Sequence, residues 1–324
     1  MTISTPLTDR LGIRHPVLSA PMDGITGARL TAAVSTAGGF GILGGGYGDR
    51  AWLEQETAKL AGLEAPFGIG FITWSLAKQP DLLDLGLKAR PRAIMLSFGD
   101  PKSFAPRIKA TGALLICQVQ DEAMARQALE AGADILIAQG TEAGGHGAAR
   151  TTLDIVPAIV DLAAGRVPVA AAGGIGDGRG LAAMMMLGAS GVLLGTRFYA
   201  SQECDGAEEA KKRICAASSG NSVRGIIFDL SRNNVGPAPF NGRCLINDHA
   251  RRWIGREVEL LQNVGAVAAE YAAAKAAGNF DVAAVIAGEA VGLIHDIPPA
   301  AEIVDRIVAE ADQILRGRRN SSAA

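Results

Sequence analysis

Cysteine is scarce and scattered in this chain. Its four residues, Cys117, Cys204, Cys215 and Cys244, include no Cys-x-x-Cys pair, which argues against a zinc site or a disulfide framework and for reduced, structural thiols. Histidine is as sparse, with four in all, and no His-x-x-x-His or acidic cluster offers a metal its ligands. A Gly-x-Ser-x-Gly elbow is missing, which removes that route to a serine hydrolase. No eighteen apolar residues run together, and the first ten residues carry Pro6 and Asp9 rather than an apolar core, so neither a membrane span nor a leader is expected. Charge of one sign is lacking too. The net charge is −2, with basic and acidic residues interspersed, so no footprint for nucleic acid or an anionic membrane is visible. The expectation is a soluble, cytoplasmic protein that acts on a small molecule.

What the chain has in quantity is glycine, 41 residues, and a 48% hydrophobic content ample for a large core. Short apolar runs recur at residues 17–20, 39–43, 67–71, 93–97, 114–118, 134–138, 167–171 and 191–194, most followed by a turn and a segment of helical period, such as 27–36, 51–61, 121–132, 153–164 and 178–187. Eight βα units within about 200 residues predict an α/β fold of the closed (β/α)8 TIM-barrel type, with an open doubly wound sheet as the alternative. Beyond the eighth strand, 207–217, 249–264, 267–277 and 281–289 read as helices with no strands between them. This predicts a barrel of residues 1–200 plus 290–324 and a helical subdomain, 201–289, inserted after strand eight. The last helix, 299–316, is expected to return and cover strand eight, and 321–324 to fray. The alanines of 267–277 suit close helix packing, either as a lid or in a homodimer.

The loops at the carboxyl ends of the strands are where a barrel carries its chemistry. Strand six opens into Ala138-Gln139-Gly140-Thr141-Glu142-Ala143-Gly144-Gly145-His146-Gly147, a side-chain-poor loop that brings one imidazole close to any ligand. His146 is either a base for proton transfer or a histidine that only satisfies loop carbonyls. His15, before Pro16 at the floor of the barrel, reads as structural, and His249 and His295 read as surface or interface residues. After strands seven and eight come Ala172-Gly173-Gly174 and Gly195-Thr196. Glycines let N–H groups converge on an anion, helix N-termini add positive charge and Thr196 offers a hydroxyl, which together predict a phosphate site. Gln118 and Gln139 end strands five and six and point amides into the mouth. Pro21-Met22 after strand one either lines a flat ligand or makes a rigid turn. The Gly44-Gly45-Gly46 run reads as a flexible lid or a cofactor-facing loop.

Taken together, Ala20-Pro21-Met22, the Ala138 to His146 loop, Ala171-Ala172-Gly173-Gly174 with Asp177-Gly178-Arg179-Gly180, Gly195-Thr196-Arg197-Phe198, Gly242-Arg243 and Gly288-Glu289-Ala290-Val291-Gly292-Leu293-Ile294 resemble the nitronate monooxygenase family, formerly 2-nitropropane dioxygenases. The resemblance implies a flavoprotein oxidoreductase with non-covalent FMN over the barrel mouth. Pro21 and the backbone of Met22 would pack at the flavin, Gln118 and Gln139 would contact its ring or ribityl chain, and Gly140, Gly144 and Ala172 would complete the site. Gly173, Gly174, Gly195 and Thr196 would hold the phosphate. His146 would be the catalytic base that deprotonates a neutral nitroalkane; the nitronate gives up an electron to the flavin, forming a semiquinone, and O2 accepts it, leaving a carbonyl compound and nitrite. An FMN-dependent NAD(P)H reductase of the enoyl-acyl-carrier-protein or quinone type is the alternative on the same barrel, and a redox-silent barrel binding a phosphate ligand is a second. Two departures stand out. Gly70 occupies the end of strand three where many relatives carry asparagine, which predicts a lost hydrogen bond and makes Trp74 a candidate pocket wall. The tyrosines and lysine that mark one subgroup near the C-terminus are not evident.

Overall fold

The computed structural model describes residues 2–321. Eleven strands form two sheets: β1 (Val17–Ser19), β2 (Gly41–Gly44), β3 (Phe67–Ile72), β4 (Ala93–Ser97), β5 (Leu114–Val119), β6 (Ile135–Gln139), β7 (Gly145–Gly147), β8 (Val169–Ala172), β9 (Gly191–Leu194), β10 (Ser222–Gly225) and β11 (Asn241–Leu245). The eight strands expected from the apolar runs pair in parallel in the order β1-β9-β8-β6-β5-β4-β3-β2. A parallel bridge between Leu18 and Phe40 joins the two ends, with Ser19 N–H donating to Phe40 O at 3.0 Å and Phe40 N–H to Val17 O at 2.9 Å. The sheet is thus a (β/α)8 barrel.

Period-two alternation divides the apolar residues between two layers. Leu18, Ile42, Met95, Ile116, Ile137, Ala170 and Leu193 fill the barrel interior, while Ile94, Leu96, Leu115, Leu136 and Ala171 face the surrounding helices. Carried two residues further, the inward rows end at Ser97, Gln118, Gln139, Ala172 and Gly195, so the strand parity that packs the core also selects which residues reach the mouth. The floor is closed by the helix Pro6–Leu11, whose Leu7 and Leu11 are fully buried with the interior set. The helix Ala300–Ser321 packs against Gly178–Met186 and Ala28–Thr36, and so supplies the cover that strand eight lacked. Residues 322–324, expected to fray, lie outside the described residues. Among the described residues no helix is long and apolar enough to cross a membrane, and all four cysteines are free.

Three expectations for the chain beyond the eighth barrel strand are corrected. It is not purely helical, because β10 and β11 pair antiparallel and β11 pairs in turn with β7, the strand that holds His146. Segment 281–289 is not a helix. Despite its alanines it runs as irregular chain into the 3-10 turn Glu289–Leu293, because its backbone is used elsewhere: Ala283 O accepts from Asn247 Nδ2 at 3.0 Å, and Val285 O accepts from Leu245 N–H at 2.9 Å. The segment expected as one helix from 249 to 264 breaks at Gly255, with φ +76°, into Asp248–Trp253 and Glu257–Gln262.

Close helix–strand approach in this barrel depends on glycine at particular points. A Cβ on Gly41 would lie 2.0 Å from the backbone oxygen of Thr31, whereas one on Gly265, on the exposed helix Val264–Ala276, meets nothing within 4 Å. Gly41→Ala is expected to destabilise the fold by about 2 kcal/mol through overpacking, and Gly265→Ala to be neutral or stabilising by up to about 1 kcal/mol. Denaturant unfolding of the two variants checks the contrast.

Candidate active site

The cavity at the carboxyl ends of the strands has a volume of about 430 Å³ and is walled by residues of every barrel strand end together with β7 and parts of the chain after 200. Of the residues singled out in the sequence, Pro21, Met22, Gln118, Gln139, Gly144, His146, Ala172, Gly173, Gly174, Gly195 and Thr196 all border it. Gly140 does not. It turns away against Thr152, whose Oγ1 a Cβ there would meet at 2.1 Å. Among the described residues no group of histidine, cysteine or carboxylates is arranged to hold a metal.

One side of the cavity is a cradle of backbone N–H groups. Gly173 and Gly174 have φ of +110° and +70°, a left-handed pair that turns successive N–H groups the same way. Among the described residues the N–H groups of Gly173, Gly174, Gly195 and Thr196 have no hydrogen-bond acceptor. Thr196 Oγ1 accepts from Gly288 N–H at 3.0 Å, which leaves its own hydrogen free to donate. The expected help from the helix after strand seven is corrected. Its N-terminus is already satisfied by carboxylates, Asp177 Oδ1 accepting from Gly180 N–H at 3.1 Å and Glu310 Oε2 from Gly178 N–H at 2.7 Å.

The histidine stands on a short strand, not on a free loop. β7 pairs with β11 so that His146 is opposite Gly242, and two arginines from the same small sheet hold the preceding turn. Arg224 donates to the carbonyls of Thr141, Ala143, Gly145 and Asn241, at 2.9, 2.7, 3.3 and 2.5 Å, and Arg243 donates to Thr141 O at 2.9 Å. Burial and then the nearby Arg243 draw the Arg224 guanidinium down to about 10, so it stays charged at neutral pH. Gln139 serves the same end. Its Nε2 donates to His146 O at 3.1 Å and its Oε1 accepts from Gln120 at 2.8 Å, so this amide positions the histidine backbone as well as bordering the cavity.

The His146 ring is 6% exposed. Its Nδ1 lies 3.1 Å from the hydroxyl of Tyr47, its Nε2 lies 3.5 Å from Asp229 Oδ1, and the ring of Phe98 meets it edge-on with centroids 5.9 Å apart. Phe98 holds φ +63°, a strained conformation for an aromatic residue of the kind that clusters at functional sites. Asp229 is fully buried. Burial alone would raise its carboxyl, but His146 and Arg232 outweigh burial and hold it below the usual carboxylate range. Tyr47 is pushed up to about 12, mainly by burial, and remains protonated.

Several residues at the site were not foreseen. Tyr47 ends the glycine run after strand two, which is no flexible lid: Gly45 N–H donates to Gly70 O at 2.7 Å, Tyr47 N–H to Asp23 at 3.3 Å, and Ser75 Oγ to Tyr47 O at 3.1 Å. Asp229 sits in Ile226-Ile227-Phe228-Asp229-Leu230, and an acid inside an apolar run was the available signal. Trp74 does not border the cavity but backs Tyr47, with ring centroids 5.7 Å apart. Gly70 has a steric cause, since a Cβ there would lie 2.4 Å from the ring of Pro21. Tyr271 and Lys275, one turn apart on Val264–Ala276, both border the cavity. His15 and His249 are buried away from it, the latter with Nε2 2.8 Å from Ser231 Oγ, and not at the surface.

Two consequences are measurable. Arg224→Met removes a donor from four backbone carbonyls, of which Thr141 keeps Arg243, and is expected to cost about 3 kcal/mol of unfolding free energy, with faster amide exchange at residues 144–147. For Asp229 the folded carboxyl lies below its unfolded value of about 3.9, so its contribution is complete above that pH and is lost as pH falls through the folded value. Unfolding free energy measured below pH of about 4 should therefore fall more steeply in the native protein than in Asp229→Asn.

Comparison with known proteins places the chain in a family. Residues 4–85 and 76–310 match the family model for nitronate monooxygenase. The nitronate monooxygenase of Pseudomonas aeruginosa is 33% identical, over 96% of this chain and all of its own. A Mycobacterium tuberculosis protein named (3aS,4S,5R,7aS)-5-hydroxy-7a-methyl-1-oxo-octahydro-1H-indene-4-carboxyl-CoA dehydrogenase is 30% identical, over 96% of this chain and 97% of its own. Among solved structures, FabK from Thermotoga maritima superposes with a TM-score of 0.87 at 31% identity, covering 99% of this chain and 100% of that one. With the family model matched over most of its length and relatives of 30% identity or more along nearly all of it, this chain is an oxidoreductase of the nitronate monooxygenase family.

Proposed function

We propose that this protein binds FMN and oxidises alkyl nitronates with O2 to a carbonyl compound and nitrite, and that His146 extends the reaction to neutral nitroalkanes by removing their α-proton. The observation that carries this reading is the pairing of two features across one cavity: four backbone N–H groups without acceptors on one side, and a histidine with a buried carboxylate behind it on the other. The cradle fits a phosphate monoester. Gly173, Gly174, Gly195 and Thr196 would hold it, with Pro21, Met22, Gly144 and Ala172 against the flavin and Gln118 at its polar edge.

Bound FMN would supply the redox chemistry, taking electrons from the nitronate and passing them to O2. The protein's own work is acid–base and positional. A nitro group acidifies the neighbouring carbon enough for an imidazole, with an ordinary pKa of about 6.5, to deprotonate it. Asp229 offsets the positive charge the ring acquires. The apolar walls, which include Phe71, Ile72, Met95 and Phe98, exclude water from the carbanion. Four free cysteines fit a cytoplasmic setting.

A second reading, a nicotinamide-linked oxidoreductase on the same barrel, draws support from the likeness to the Mycobacterium tuberculosis dehydrogenase. Anaerobic mixing of the flavin-loaded protein with a nitronate, its neutral nitroalkane and NADH in turn separates the two. Flavin bleaching by the nitro compounds alone is expected, and bleaching by NADH alone would move the assignment to the second reading. His146→Asn is expected to lower kcat/KM for the neutral nitroalkane by about 10²–10⁴ while largely sparing the nitronate; equal loss on both forms would remove His146 as the base.

A further inference from the structure

His146 stands between two partners of opposite hydrogen-bonding character. Asp229, behind the ring and away from the cavity, is ionised and therefore an acceptor only. Its Oδ1 takes Arg232 Nη2 at 2.5 Å and its Oδ2 takes Gly242 N–H at 3.2 Å, and Gly242 is the residue paired with His146 across the small sheet. The sheet therefore fixes ring and carboxylate to the same scaffold. Nε2, 3.5 Å from that carboxylate, has no hydrogen-bond partner among the described residues and is sealed from solvent, so Asp229 is the group that selects its protonation. A neutral imidazole turned this way carries its hydrogen on Nε2 and its lone pair on Nδ1. On the cavity side Tyr47, held at both its N–H and its carbonyl, is then the donor to Nδ1 at 3.1 Å.

We propose that Nδ1 of His146 is the proton-accepting atom, that Asp229 is the positioning residue that makes it so, and that the Tyr47 hydroxyl transfers its hydrogen bond from Nδ1 to a nitro oxygen as the proton is taken. The inference rests on the function proposed above. In the step, the substrate C–H bond breaks and an Nδ1–H bond forms. The C–H electron pair enters the C=N bond of the nitronate, and the negative charge settles on the nitro oxygens. Once protonated, Nδ1 is a donor and can no longer accept from Tyr47. The hydroxyl hydrogen is released at the moment an anionic oxygen appears within the same pocket. Asp229 then faces an imidazolium, and the pair is neutral overall. No other reactant is consumed, and the same hydroxyl occupies the base before reaction and steadies the product after it.

The tautomer is testable without turnover. In the flavin-loaded protein labelled with 15N-histidine, the four imidazoles are few enough to resolve, and the His146 signals are those lost in His146→Gln. A protonated Nε2 with an unprotonated, hydrogen-bonded Nδ1 is expected, whereas a protonated Nδ1 overturns the proposal whatever the protein's substrate. Two variants then test the roles. Asp229→Asn should lower kcat/KM for the neutral nitroalkane by about 10²–10⁴ while leaving the pre-formed nitronate within about tenfold. Tyr47→Phe should lower kcat on the neutral form by about 10²–10³, as for loss of one donor to a developing oxyanion, and should move the Nδ1 signal towards that of an imidazole without a donor. Equal losses on neutral and ionised substrate, or an Nδ1 signal indifferent to Tyr47→Phe, would reduce both residues to packing. If the native protein oxidises neither nitro form, the function proposed above fails and the proton-transfer step with it, while the imidazole signals still decide the orientation of the ring.

Discussion

The site depends on one short backbone pairing, β7 against β11. Three residues of a glycine-rich turn have little reason to be a strand on their own, since glycine loses more conformational freedom on folding than any other residue. They become one because β11 offers a ladder on one side and Arg224 and Arg243 satisfy the carbonyls of the turn before it. The arrangement exchanges entropy for charge-assisted hydrogen bonds in a half-buried setting, where such bonds are stronger than neutral ones. Its product is an imidazole whose backbone is held by Gln139 at the end of β6 and whose ring is held by Tyr47, from the loop after β2, and by Asp229, from the excursion of residues 201–289.

The barrel and the excursion contribute different chemistry. Barrel strands deliver residues by parity, so the inward row that packs as Ile116 and Ile137 surfaces as Gln118 and Gln139. Its loops deliver backbone, in the form of N–H groups from Gly173, Gly174, Gly195 and Thr196. Neither supplies the charged groups that hold the histidine strand and its ring. The excursion does, through Asp229, Arg232, Arg224 and Arg243. The helix after β8, with its N-terminus satisfied by Asp177 and Glu310, anchors the C-terminal helix and takes no part in the cradle.

The difference between what was legible in the sequence and what was not follows the same division. The eight barrel strands are short apolar runs bounded by glycine and helical segments, and local pattern suffices to locate their cores, with boundaries shifting by two residues at most. The glycine cradle was legible because its chemistry is backbone and its position follows a strand. β10 and β11 were not, since Ser-Val-Arg-Gly and Asn-Gly-Arg-Cys-Leu have no strand signal until a third segment far away in sequence pairs with them. Segment 281–289 misled in the opposite sense. Alanine favours helix locally, but the carbonyls of Ala283 and Val285 are taken by Asn247 and Leu245. Asp229 and Tyr47 meet His146 only through a fold that brings separate segments onto one ring.

The close approach of Gly70 and Pro21 bears on the shape of the barrel mouth. Because the proline ring fills the volume a side chain at position 70 would need, any other residue there requires the turn after β1 to shift. Pro21 and Met22 of that turn border the cavity, so the absence of one side chain on β3 sets how far this wall of the cavity leans over the barrel.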